Sequence, residues 1–200
     1  MIHKHITTLS MARSGHNFVL QNVLSWIGGK DLYVHHNLES VRPELLMPNH
    51  LKHSGSKLLI WRDFDDWLAS SIAKAKKIGA TRNASDIPSY LEKIISTYKA
   101  IMAEVKCPRY YNADCVIHYD EFVESRHYRE SVCSKLNGEY NESELNFVPR
   151  NGHYSSFDAD KYQGEGSKMN VLNRAEDILN TEYKDIYIQA MDRYGKDIRI

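Results

Sequence analysis

The chain has 200 residues, 42% of them hydrophobic, and Lys+Arg 26 against Asp+Glu 26 leaves a formal net charge of +0. That is enough apolar material for one core, so a single domain over 1–200 is expected and wholesale disorder is excluded. The neutral balance argues against a nucleic-acid coat or a polybasic anchor, and no apolar run nears the roughly 18 residues of a membrane helix.

No signal-peptide core follows Lys4, and Cys107, Cys115 and Cys133 are odd in number without CxxC spacing. They read as reduced thiols of a cytoplasmic protein.

Residues 3–10 form a β-branched run ending in the small-residue turn MARSGHN. From Gly15 a helix is expected, with Leu20, Val23, Leu24 and Ile27 on one stripe and Gly28-Gly29 as its stop. Asp31–His36 reads as a second strand ending near Val34, and 37–56 as loop with a helical turn at 42–46. Lys57–Trp61 (KLLIW) is continuously apolar, as a strand buried on both faces of a parallel sheet should be.

Asp63 or Asp65 then caps a helix with Leu68, Ile72 and Ala75 inward, ending at Gly79. Asp86 and Pro88 open a longer helix carrying Leu91, Ile94, Ile95, Tyr98, Met102 and Val105, stopped by Pro108. Asp114–His118 is a further strand, and Ser125 caps a helix to Leu136. Residues 139–170 are polar and Gly-rich, and 173–194 is helical, in one piece or two, with Gly195 as a stop. Strands alternating with helices predict an α/β fold: three layers, α/β/α, around a central parallel sheet that binds ligands at the carboxyl ends of its strands.

Two turns at such ends carry the chemistry. Ser10-Met11-Ala12-Arg13-Ser14-Gly15-His16-Asn17-Phe18 joins the first strand to the first helix. Its small residues let successive amides face an anion at a positive helix end, and Arg13 adds a fixed charge. GxxxxGK[ST] is absent, so this is no Walker loop. Trp61-Arg62-Asp63-Phe64-Asp65-Asp66-Trp67-Leu68-Ala69-Ser70 places an arginine at the end of the buried strand and a hydroxyl eight residues on. The bland readings are a tight βα turn for the first and an Arg–Asp pair on a capped helix for the second.

The pair, in this order and about fifty residues apart, resembles the nucleotide-binding elements of the sulfotransferase family. ARSGHNF stands for that family's P-[KR]-[ST]-G-T-[TN]-[WFL], and RDFDDWLAS for R-[DN]-P-x-D-x-x-x-S, with Asp65 and Ser70 at the family spacing. Ala12 and Phe64 replace prolines, and His16 replaces the usual threonine. HYDEF at 118–122 resembles the family's YEDL-type turn, and Gly164–Lys168 its C-terminal Gly- and Lys-rich loop.

The resemblance implies a P-loop NTPase-like sulfotransferase fold that moves a sulfonate from 3′-phosphoadenosine 5′-phosphosulfate (PAPS) to a small-molecule or carbohydrate hydroxyl, or an amine, without a metal. It implies that Arg13 holds the sulfonate and 5′-phosphate, with donors from Ser14, Gly15, His16, Asn17 and Phe18. Arg62 and Ser70 would bind the 3′-phosphate, with Lys168 as the third cation and Arg150, Lys161 and Arg174 as its alternatives. His36 best matches the family's base after the second strand; His35, Glu39, His50 and His53 are the alternatives. The rival readings are a P-loop-type kinase and a non-catalytic nucleotide-binding domain.

Overall fold

The computed structural model describes residues 6–11, 13–28, 33–38, 56–79, 87–109, 111–142, 145 and 171–198. Four parallel strands, β1 (Ile6–Met11), β2 (Tyr33–Leu38), β3 (Ser56–Trp61) and β4 (Cys115–His118), lie in the order β2-β1-β3-β4. The helices are α1 (His16–Trp26), α2 (Phe64–Gly79), α3 (Ile87–Lys106), α4 (Tyr119–Glu124), α5 (Arg126–Lys135), α6 (Arg174–Leu179) and α7 (Lys184–Ile198). Among the described residues no helix is long and apolar enough to cross a membrane.

Side chains alternate along a strand, so each central strand feeds two cores. Ile6, Leu58, Ile60, Cys115 and Ile117 pack with Val19, Leu20, Val23 and Trp26 of α1, Phe122 of α4 and Val132 of α5. Leu9, Met11 and Leu59 point the other way, into Leu68 and Ile72 of α2, Ile94, Tyr98 and Ile101 of α3, Ile178 of α6 and Tyr187 of α7. The sheet therefore carries helices on both faces, as a three-layer α/β/α arrangement requires.

Several boundaries differ from the sequence expectation. β2 does not end near Val34: Met11 of β1 pairs with Leu38, so the ladder carries β2 to the level where its partner stops. Gly195 does not end the last helix; it is buried inside α7, where a Cβ would stand 3.2 Å from Met191 Cε. Residues 119–124 form a short helix and not merely a turn. The α1 stripe is turned by a residue, with Val19 and Trp26 buried and Leu24 and Ile27 only half-buried. Ser125 does cap α5, its Oγ accepting from Tyr128 N–H at 3.1 Å. The helical turn at 42–46 lies outside the described residues.

Local and long-range hydrogen bonds set β4 beside β3. Glu104 Oε1, near the end of α3, accepts from the amides of Arg109, Tyr111 and Asn112 at 3.1, 2.8 and 3.0 Å. The Tyr111 hydroxyl donates to Thr7 O at 2.7 Å, and Lys57 N–H donates to Asp114 Oδ2 at 2.7 Å. Together they fix the strand whose carboxyl end holds His118.

Candidate functional site at the carboxyl edge of the sheet

From β1 the chain leaves through α1 on one face towards β2; from β3 it leaves through α2 and α3 on the other face towards β4. β1 and β3 are neighbours, so their carboxyl ends flank a topological switch point, the place where open α/β sheets form a binding crevice. Both arginine-bearing turns start there.

In the first turn, Arg13 (φ 71) and Gly15 (φ 75) both adopt left-handed backbone. Such residues curl successive amides into a concave nest, and the first turn of α1 adds amides with no carbonyl one turn before them. The Ser14 hydroxyl is buried and donates to Met11 O at 2.7 Å. His16 is also buried, its Nδ1 2.8 Å from Ser10 Oγ. Both side chains thus brace the turn from inside, and the Ser14 amide is likewise turned inward, donating to Met11 O at 3.2 Å. Asn17 and Phe18 are half-buried, and the Phe18 ring meets Tyr119 edge-on at 6.2 Å.

In the second turn Arg62 is only 4% exposed. Its Nε donates to Asp120 Oδ1 at 3.0 Å, one terminal nitrogen to Ser70 Oγ at 3.4 Å, and the other to Asp66 Oδ2 at 3.2 Å and to Val171 O. Four of the five guanidinium N–H groups are therefore engaged. The Tyr98 hydroxyl, donating to Arg62 O at 2.7 Å, pins the backbone beneath. Burial raises the Asp66 carboxyl above the ordinary carboxylate range, although Ala175 N–H and Arg62 oppose that.

Tyr119 links the two turns. Its ring lies 5.1 Å from the Arg62 guanidinium carbon and packs directly on Gly15, where a Cβ would meet Tyr119 Cε2 at 1.9 Å. Only glycine fits there, for backbone and for space.

One strand further along, Trp61 of β3 is paired with His118 of β4, and their rings stack at 4.0 Å. His118 faces three carboxylates: Asp63 at 3.3 Å, Asp120 at 3.6 Å and Glu121 at 3.6 Å. Burial disfavours the imidazolium, but contact with Asp120 and Asp63 outweighs it and pushes the His118 pKa up to about 10. Contact with His118 in turn holds the Asp63 carboxyl below its usual range. Beside this group opens a cavity of about 440 Å³ whose walls include Trp61, Asp63, Asp66, Tyr98 and Glu176.

The structure thus brings Arg62 and Ser70 into contact and sets the Arg13–Gly15 turn across the Tyr119 ring from them. His36 is not at the strand's end: its backbone pairs with Leu9, two residues short of Leu38, about 7 Å below the carboxyl edge at roughly 3.3 Å per residue. His35 pairs with Thr8, lower still. Glu39, His50, His53 and Lys168 lie outside the described residues. Trp26, Trp67 and Tyr111 are core.

Sequence reasoning missed Asp66, Asp120, Tyr119 and His118 as parts of the site. Their signal was a His-Tyr-Asp run closing a strand of a parallel sheet, the position where ligand-facing residues collect. No protein-family model matches the chain, and neither the curated proteins nor the solved structures contain a significant match.

Proposed function

We propose that the chain has a P-loop-like sulfotransferase fold and transfers a sulfonate from PAPS to a hydroxyl or amine acceptor. The observation that carries this reading is the Arg62–Ser70 pair. The two residues, eight apart in sequence, meet at 3.4 Å at the end of β3, beside the left-handed turn after β1. A nest with one arginine and, across the Tyr119 ring, an Arg–Ser pair for a 3′-phosphate are the two kinds of anion site that a 3′,5′-bisphosphate needs.

In the reaction the acceptor oxygen attacks sulfur in line with the leaving 5′-phosphate. A new S–O bond forms, the bond to the phosphate oxygen breaks, and the acceptor proton passes to a base. Arg13 and the α1 amides stabilise the charge that grows on the sulfonate and leaving group. With His36 two residues inside β2, Glu39, just beyond that strand in sequence, is the first candidate for the base, and His36, His50 and His53 are the alternatives. The base is the one whose replacement (His36→Ala or Glu39→Gln) lowers turnover about a hundredfold while bisphosphate affinity holds.

Arg62 cannot serve as the simple test of nucleotide binding. Its removal leaves Asp66 and Asp120 buried without their cation, a loss of about 3–5 kcal/mol in stability. Ser70→Ala is the clean variant. Calorimetric titration in EDTA should show 3′,5′-bisphosphoadenosine binding much more tightly than AMP or ATP. Ser70→Ala should weaken the bisphosphate about tenfold or more, as befits a hydrogen bond to a charged group worth about 1.5–3 kcal/mol. Equal affinity for ATP, or binding only with Mg²⁺, overturns the reading in favour of a kinase. Bisphosphate binding without sulfonate transfer would reduce it to a nucleotide-binding domain.

A further inference from the structure

We propose that Asp63, His118 and Asp120 form a binding site for one divalent transition-metal ion of the Zn²⁺ or Mn²⁺ type. One ligand atom from each residue lies within 4.8 Å of the others. His118 Nε2 stands 3.3 Å from Asp63 Oδ1 and 3.6 Å from Asp120 Oδ2. Yet that nitrogen is buried and makes no hydrogen bond of acceptable geometry to either oxygen. These separations fit another purpose. Ligand atoms about 2.0–2.2 Å from a tetrahedral ion stand about 3.3–3.6 Å from one another, so the two distances match edges of a coordination tetrahedron.

The surroundings hold the ligands as a metal site requires. Trp61 stacks on the imidazole at 4.0 Å and fixes its plane, while Glu121 faces Nδ1, the nitrogen turned away from the site, at 3.6 Å. Asp120 is oriented through its other oxygen by Arg62 Nε at 3.0 Å and through Oδ2 by the Asp63 amide at 3.1 Å. Outer partners of this kind set ligand direction and are part of what tunes an ion's affinity. The Asp63 side chain is 61% exposed, which leaves the site open to solvent for water or a substrate oxygen. One imidazole and two carboxylates suit Zn²⁺ or Mn²⁺ better than Mg²⁺, which prefers oxygen ligands and keeps its waters.

This site shares Asp120 with the Arg62 clamp but does not rest on the bisphosphate reading, whose test runs in EDTA and succeeds or fails without it. The full chain, stripped with EDTA and dialysed, is titrated calorimetrically with Zn²⁺, Mn²⁺ and Mg²⁺. One Zn²⁺ or Mn²⁺ per chain is expected, with Mg²⁺ at least a hundredfold weaker. Asp63→Asn, a change at an exposed position that spares the fold, should weaken Zn²⁺ at least tenfold. His118→Gln should do the same, and near-UV circular dichroism reports whether it folds. If it does not fold, Asp63→Asn decides alone. No saturable binding, equal binding of Mg²⁺, or Zn²⁺ affinity untouched by Asp63→Asn overturns the proposal. The last result would mean that the ion sits on other histidines among the ten in the chain.

Discussion

Gly15→Ala tests the geometry of the first turn most directly. Two separable costs fall on this substitution. The backbone sits at φ 75, and an alanine there loses about 1–2 kcal/mol from the left-handed conformation alone. The new methyl also lands 1.9 Å from Tyr119 Cε2 and 2.0 Å from Cδ2, and the ring is 6% exposed, with little room to retreat. Overpacking of this kind costs about 1–3 kcal/mol more, so Gly15→Ala should lose about 2–5 kcal/mol in urea unfolding. Tyr119→Ala alone loses about 3–5 kcal/mol, as truncation of a buried aromatic does. In the double variant the clash is gone and only the backbone cost persists. The two changes should therefore fall short of additivity by about 1–3 kcal/mol. Strict additivity would show that Tyr119 does not pack on Gly15, and the bridge between the two turns would fall with it.

Arg13→Gly should keep or slightly raise stability, because it relieves the φ 71 backbone while adding freedom to the unfolded chain; Arg13→Ala should not share that relief. Both should lower sulfonate transfer more than bisphosphate affinity, and an Arg13→Ala chain with unchanged transfer would reduce the loop to a turn. Asp66→Asn should tighten 3′,5′-bisphosphoadenosine by about tenfold, since it removes a carboxylate 3.2 Å from Arg62; weaker binding in calorimetry would show that Asp66 aids the site. His118, with its pKa raised from the ordinary 6.5 to about 10, contributes stability that is full below about pH 6.5 and is lost as pH rises through about 10. The Tm gap between metal-free wild type and His118→Asn should therefore shrink across that window, and a constant gap refutes the ionic role.

The strands were the most legible part of the fold, because burial on both faces writes itself into composition. KLLIW has no polar face to mislead, and in the structure Leu58, Leu59 and Ile60 are wholly buried on alternating sides. Boundaries were less legible wherever a partner sets them. β2 extends to Leu38 because β1 continues to Met11, a fact of pairing that no local pattern in YVHHNL contains. Gly195 stays helical and buried within α7 despite glycine's intrinsic preference to end a helix, and no local pattern in the sequence announces that.

The site divides along the same line. Asp66 and Ser70 share one face of α2 at i and i+4, and Arg62, two residues before the helix, reaches both, so their meeting is local in sequence. Asp120 reaches Arg62 from 58 residues away, and only the adjacency of β3 and β4 brings it there. That distant carboxylate changes the chemistry of the local motif. An arginine with only Asp66 beside it would be a ready anion site; one clamped between two carboxylates offers a phosphate, among the described residues, one N–H beyond its four engaged ones and the Ser70 hydroxyl. A 3′-phosphate must then bind through those two donors or displace a carboxylate from the guanidinium. Asp66 and Asp120 are each held by one amide, from Ala175 at 2.7 Å and from Asp63 at 3.1 Å, so what makes Asp66 the easier to displace is that burial disfavours its charge. Anion affinity at the end of β3 is thus a competition among acids around one cation, decided by a residue that the local motif does not contain.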